Sequence, residues 1–188
     1  MDTGRVRTGL AIVVLVGSWL SAATIGWAGS YPGGGELALV FVALVLVGLT
    51  GIAWLVVSVA EVAARRFALV VALAVLATVV IGGAGVAARI ELPLLARFAL
   101  SRPAFDQVIA DRGEAGPGAV CPRHIGTYRI LSCRTLGSDT YFRARDGGFL
   151  DSVGFVYLPE GVPTDPPSGT SLTYGQLRGP WYSFVEAW

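Results

Sequence analysis

Hydrophobic and polar positions are distributed very unevenly along these 188 residues. Three long runs without charge occupy the first half, Leu10–Trp27, Leu37–Ala60 and Ala68–Ala88. Each is about as long as the roughly 18–25 residues an α-helix needs to cross some 30 Å of hydrocarbon. The pattern predicts three transmembrane helices. In the first run, a signal peptide cut near Ser21-Ala22-Ala23 is the competing reading, but the apolar character continues to Trp27, past the 7–15 residues typical of a signal core. The turn between the second and third runs, Glu61 to Phe67, carries Arg65 and Arg66.

Beyond Ala88 the pattern changes. A stretch from Leu94 to Leu100 reads as a short strand, after which Ser101 reads as a helix N-cap with Pro103 in the first turn, where a missing N–H costs little. Phe105, Val108 and Ile109 then fall on one helical face, with Asp106, Gln107 and Asp111 elsewhere. Downstream the period becomes two, predicting strands over Thr127–Cys133, Thr140–Arg145, Phe149–Leu158 and Trp181–Glu186. Asp146-Gly147-Gly148 suits a hairpin turn. Apolar residues on both faces of the third strand place it mid-sheet, and Gly154 marks a bulge or a close backbone approach. Pro159 to Pro180, rich in Pro and Gly, reads as a functional loop or as slack. The predicted fold is three transmembrane α-helices (1–88) followed by a small α+β domain (89–188) with an antiparallel sheet and one helix.

Charge sets the orientation. Arg5, Arg7, Arg65 and Arg66 flank the spans on one side, whereas the Ala28–Glu36 loop holds no Arg. The positive-inside rule then puts the N-terminus in the cytoplasm and the C-terminal domain outside, in a multi-pass cell-membrane protein. Trp27 and Tyr31 are expected as aromatic anchors at the outer interface. No ionisable residue falls within the three runs, which argues against a pump or secondary transporter. Small residues at every fourth position (Ser18, Ala22, Gly26; Ala74, Thr78, Gly82) suit close packing of the spans on one another or on a partner helix.

After Ala88, ten Arg balance ten Asp and Glu, leaving no basic footprint for nucleic acid. Lys and Asn are absent, a composition typical of GC-rich coding that strips Ala and Arg abundance of meaning and excludes a lysine nucleophile. Cys121 and Cys133 are the only cysteines. Outside the cell they favour a disulfide, with free thiols or a zinc site including His124 as alternatives. No cofactor motif occurs, and Gly83-Ala84-Gly85-Val86-Ala87-Ala88 follows no strand, so its match to a nucleotide fingerprint carries nothing. His124, and the carboxylate pairs Asp146/Asp151 and Glu160/Asp165, are the residues an envelope enzyme would have to use, though each lies in or beside a turn. Tyr174, Trp181 and Tyr182 are candidate binding residues, with core and sheet cover as the simpler role for the aromatic residues of the last strand.

Arg97-Phe98-Ala99-Leu100-Ser101-Arg102-Pro103, Gly126-Thr127-Tyr128, Gly154-Phe155-Val156-Tyr157-Leu158-Pro159 and Gly179-Pro180-Trp181-Tyr182, behind three spans, resemble small membrane proteins of actinobacterial type. The resemblance implies location and architecture and carries no activity. By elimination, the expected function is an exported binding or assembly domain in the envelope. Its partners would be the bilayer together with an envelope protein or a membrane helix.

Overall fold

A computed structural model describes residues 3–34, 37–63, 67–115, 120–148, 151–163 and 171–187. Helices α1 (Thr3–Ala28), α2 (Leu37–Ala63), α3 (Phe67–Arg89) and α4 (Leu92–Ala115) precede six strands. These are β1 (His124–Ile125), β2 (Tyr128–Leu136), β3 (Asp139–Ala144), β4 (Ser152–Tyr157), β5 (Ser171–Arg178) and β6 (Trp181–Ala187). The chain forms two compact units, and their boundary is not linear. The first unit holds residues 1–28 and 38–90; the second holds residues 29–37 and 91–188.

In the first unit, three helices are long and apolar enough to cross a membrane, over Ala11–Ala28, Ala38–Ala63 and Val70–Arg89. The protein is therefore membrane-anchored. Helix α1 runs unbroken past Ser21-Ala22-Ala23 and packs on α3. Val14, Val57 and Leu73 form the small interior, and most other Leu, Val and Ile side chains of the helices point outward, as lipid contact requires. Ser18 is buried and donates its hydroxyl proton to the Val14 carbonyl one turn back, so this polar group needs no outside partner. Ala74, Thr78 and Gly82 line a groove between α3 and α2 that Val47, Thr50 and Trp54 complete.

The end of the second span needs correction. Glu61 does not lie in a turn: α2 continues to Ala63, and Glu61 is 2 % exposed inside it. Trp54, Ser58 and Glu61 follow one another at helical spacing, which holds the carboxylate on the inner side of the helix.

The second unit packs α4 across one face of a six-stranded antiparallel sheet of order β1-β2-β3-β4-β6-β5. Helix α4 also corrects the sequence reading, because Leu94–Leu100 is helical and Ser101 lies mid-helix rather than at its start. Pro93 occupies the first turn, and Pro103 lies inside. An internal proline costs a helix about 3 kcal/mol. Here Leu94, Phe98, Ser101 and Phe105 form a single buried face on both sides of it. Full burial of each large side chain is worth roughly 1.5–3 kcal/mol, enough to carry the helix through. Ser101 serves the sheet instead of a cap: its hydroxyl accepts the Thr127 N–H at 3.1 Å, at the tip of the β1–β2 hairpin. Gly126 in that turn has a φ of 57° and lies so close to Ser101 that a Cβ would collide with it.

Phe98, Phe105, Tyr128, Phe142, Phe155 and Trp181 make the aromatic core, with ring centroids 4.5–6.2 Å apart in the pairs that touch. Cys121 and Cys133 form a disulfide at its edge, with Cα atoms 5.5 Å apart. As the sequence predicts, β4 is internal, between β3 and β6, and apolar on both faces. Part of the Pro159–Pro180 segment is not loop at all, since Ser171–Arg178 is strand β5 at the sheet edge. Phe149, Leu150, Asp165 and Trp188 lie outside the described residues.

Gly29 to Gly34, between the first two spans, belongs to this sheet unit. Tyr31 is not an interfacial anchor but a member of the aromatic core, 8 % exposed and edge-on to Tyr128. The Arg97 guanidinium lies 4.3 Å from the ring centroids of both Tyr31 and Tyr128 and donates to the Ser30 hydroxyl, the Thr127 hydroxyl and the Thr127 carbonyl. Tyr128 donates to the Ser30 carbonyl at 3.2 Å, and the Gly148 N–H to the Gly34 carbonyl at 3.2 Å. The loop is thus fastened at both ends of its described length.

Candidate functional site

Alternation along the strands gives the sheet a second face, opposite α4. It carries Ser132, Arg134 and Leu136 from β2, Tyr141 and Arg143 from β3, Val156 from β4, Leu172 and Tyr174 from β5, and Tyr182, Phe184 and Glu186 from β6. Among the described residues of this unit no further layer covers this face. Val156 and Phe184 are nevertheless buried, because neighbouring side chains cover them. The Tyr141 and Tyr174 hydroxyls meet at 3.1 Å, bridging from β3 to β5 over the two strands between. Phe184 stands edge-on to Tyr141 with centroids 5.6 Å apart.

Gly154 explains the depth of the face. A Cβ there would strike the Phe142 carbonyl oxygen and the edge of the Phe184 ring, so the absent side chain lets the aromatic ring lie down on the strand. The sequence expectation of a close approach is met in this form. Beside the ring opens a groove of about 300 Å³, within the range of small-molecule sites. Leu136, Leu172 and Phe184 give it apolar surface; Arg134, Arg143 and Glu186 bring charge.

Those three charged groups make no hydrogen bond or ion pair with any described residue. Arg134 and Arg143 are diagonal cross-strand neighbours, because Arg134 pairs with Tyr141 across β2 and β3. Such neighbours have Cα atoms about 7–8 Å apart, so two like-charged side chains rise from neighbouring positions on the same face. Burial, reinforced by the hydrogen bond to Tyr141 and by the nearby acidic groups Asp139 and Glu186, raises the Tyr174 phenol well above its ordinary pKa. It remains a neutral donor and acceptor at any physiological pH.

The sequence-derived candidates separate. Tyr174 and Tyr182 lie on the grooved face, Tyr182 beside Val156 and Phe184. Trp181 points the other way, is fully buried in the aromatic core, and donates its indole N–H to Asp106 at 2.8 Å. His124 is exposed in β1, and the disulfide leaves no thiol for it to join in metal binding. Asp146 lies 3.9 Å from the Arg129 guanidinium, a structural ion pair at a turn. Among the described residues no three His, Cys, Asp or Glu side chains gather at one point. Arg134 escapes the sequence reading because the first predicted strand stops at Cys133, one residue before the alternation Ser132, Arg134, Leu136 becomes visible; Arg143 lies inside the second predicted strand, but its neighbour across the sheet is then missing.

No protein-family model, no curated protein and no solved structure matches this chain.

Proposed function

We propose that this protein holds a sheet domain on the extracytoplasmic face of the plasma membrane and uses the grooved face of that sheet for binding or assembly in the cell envelope. The Arg-free Gly29–Gly34 loop packs into the domain, and two helices able to span the membrane separate the two in sequence. This packing supports a loop and a domain on one side of the bilayer, and the four Arg at the opposite span ends favour the cytoplasm for the other side. The disulfide agrees with an oxidising compartment.

The observation that carries the binding reading is the trio of unpaired charges around an apolar groove. A few polar groups around an apolar floor are what ligand sites are built from. Photo-crosslinking amino acids at Ser132 and Gln176 in living cells test it, with Asp111 on the exposed side of α4 as control. One recurrent species captured from the sheet positions and not from Asp111 supports the reading; indistinguishable capture from all three sites overturns it.

The α2–α3 groove favours a second reading, in which a partner membrane helix is the main client. Deleting residues 91–188 separates the two, because a role confined to the spans survives that deletion.

A further inference from the structure

Resting on the binding reading above, we infer that the groove takes an amphiphile with one anionic head, a phosphate or carboxylate, attached to an apolar body. Arg134 and Arg143, on adjacent strands, both line the groove and neither pairs with a described residue, and guanidinium groups suit oxygen anions through forked, charge-assisted hydrogen bonds. The Ser132 hydroxyl lines the same end. Phe184 and Leu172 supply the apolar surface that a bare inorganic anion would leave unused.

Glu186 defines the far limit. It stands on β6, two strands from β3, hence about 10 Å from that strand in strand spacing. Its carboxylate repels a second anionic group at that end of a ligand and tolerates a neutral or cationic one. With two guanidinium groups against one carboxylate, the groove favours a ligand with one anionic group over a ligand with two.

The head could arrive on a membrane lipid or on a free amphiphile, and one experiment separates these sources. The full chain is placed in phosphatidylcholine nanodiscs and titrated with hexyl phosphate, with hexanol as the uncharged control, by calorimetry. Saturable binding of hexyl phosphate is expected, with hexanol inert. Affinity should fall at least about 10-fold in R143Q and further in R134Q/R143Q, be partly retained in R143K, and be unchanged or improved in E186Q. Because Arg134 is exposed and Arg143 half-buried, the variants are expected to keep the wild-type unfolding midpoint, and R143K covers the case in which a glutamine does not.

Adding phosphatidylglycerol to the discs distinguishes the sources. Loss of hexyl phosphate binding identifies the lipid head as occupant, and unaltered binding identifies a free amphiphile. Equal affinity in R134Q/R143Q, equal binding of hexanol, or no binding of hexyl phosphate in either kind of disc overturns the inference. If the inference falls while Ser132 still captures one cellular species, the binding reading survives with a different ligand; if capture fails too, both fall.

Discussion

The Arg97 guanidinium reaches the Ser30 hydroxyl at 2.9 Å across 67 residues of chain, a separation that includes all of α2 and α3. The contact makes the first inter-span loop a structural component of the C-terminal domain. Two tyrosine rings flank the same guanidinium, so the cation is both hydrogen-bonded and held against π-faces. Tyr31→Ala and Arg97→Ala should each lower the stability of the sheet unit by about 1–3 kcal/mol. In a double-mutant cycle they should couple by roughly 0.5–2 kcal/mol. Denaturant unfolding followed by Trp fluorescence measures it, and strict additivity would deny the loop its place in the domain.

A second long-range bond anchors the last strand to the helix. Trp181 is fully buried, and its indole N–H has Asp106 as acceptor. Asp106→Ala leaves that donor buried without its partner and should cost about 1–3 kcal/mol. Asp106→Asn keeps an oxygen in place and should cost less than about 1 kcal/mol, a contrast visible in the unfolding midpoints.

How much of this was legible in the sequence depends on whether the signal is local. Uninterrupted apolar runs announce the spans because lipid leaves little alternative. The opposed faces of Trp181 and Tyr182 follow from a two-residue period. The Ser30–Arg97 contact has no local signature: Tyr31, an amphipathic ring beside a span, fits a lipid interface as well as a protein core, and only tertiary packing decides. Pro103 conceals the length of α4 because a proline two residues before the helical spacing of Phe105, Val108 and Ile109 resembles a first turn; the buried row from Leu94 to Phe105 overrides it. Strand β5 was hidden by Gly175 and by Pro163, Pro166 and Pro167 upstream, although Leu172, Tyr174 and Gln176 alternate as a strand should.

Alkaline pH should loosen the sheet unit selectively. Burial raises the pKa of Tyr128, a shift partly offset by the Arg97 charge, and burial also raises that of Tyr174. A phenol whose folded pKa is raised contributes its full stability below the unfolded value of about 10 and loses it as pH rises beyond that, because the unfolded chain ionises first. Unfolding midpoints should be flat with respect to these tyrosines up to about pH 9 and decline from about pH 10 upward. Tyr128→Phe is less stable than wild type at neutral pH, having lost the bond to Ser30, and the gap should narrow at pH 11. A gap that widens there would contradict the assignment.

The most direct test of the central claim, that the sheet unit faces the outside of the cell, uses the Cys121–Cys133 disulfide. Closing a loop with a sequence separation of 12 is worth about 3 kcal/mol, so reduction also weakens the domain. Intact cells are treated with a membrane-impermeant thiol reagent before and after an impermeant reductant. A domain outside the cell gives no labelling before reduction and labelling of both cysteines after it, without permeabilisation. Labelling that appears only once the membrane is breached would put the domain in the cytoplasm and contradict the account.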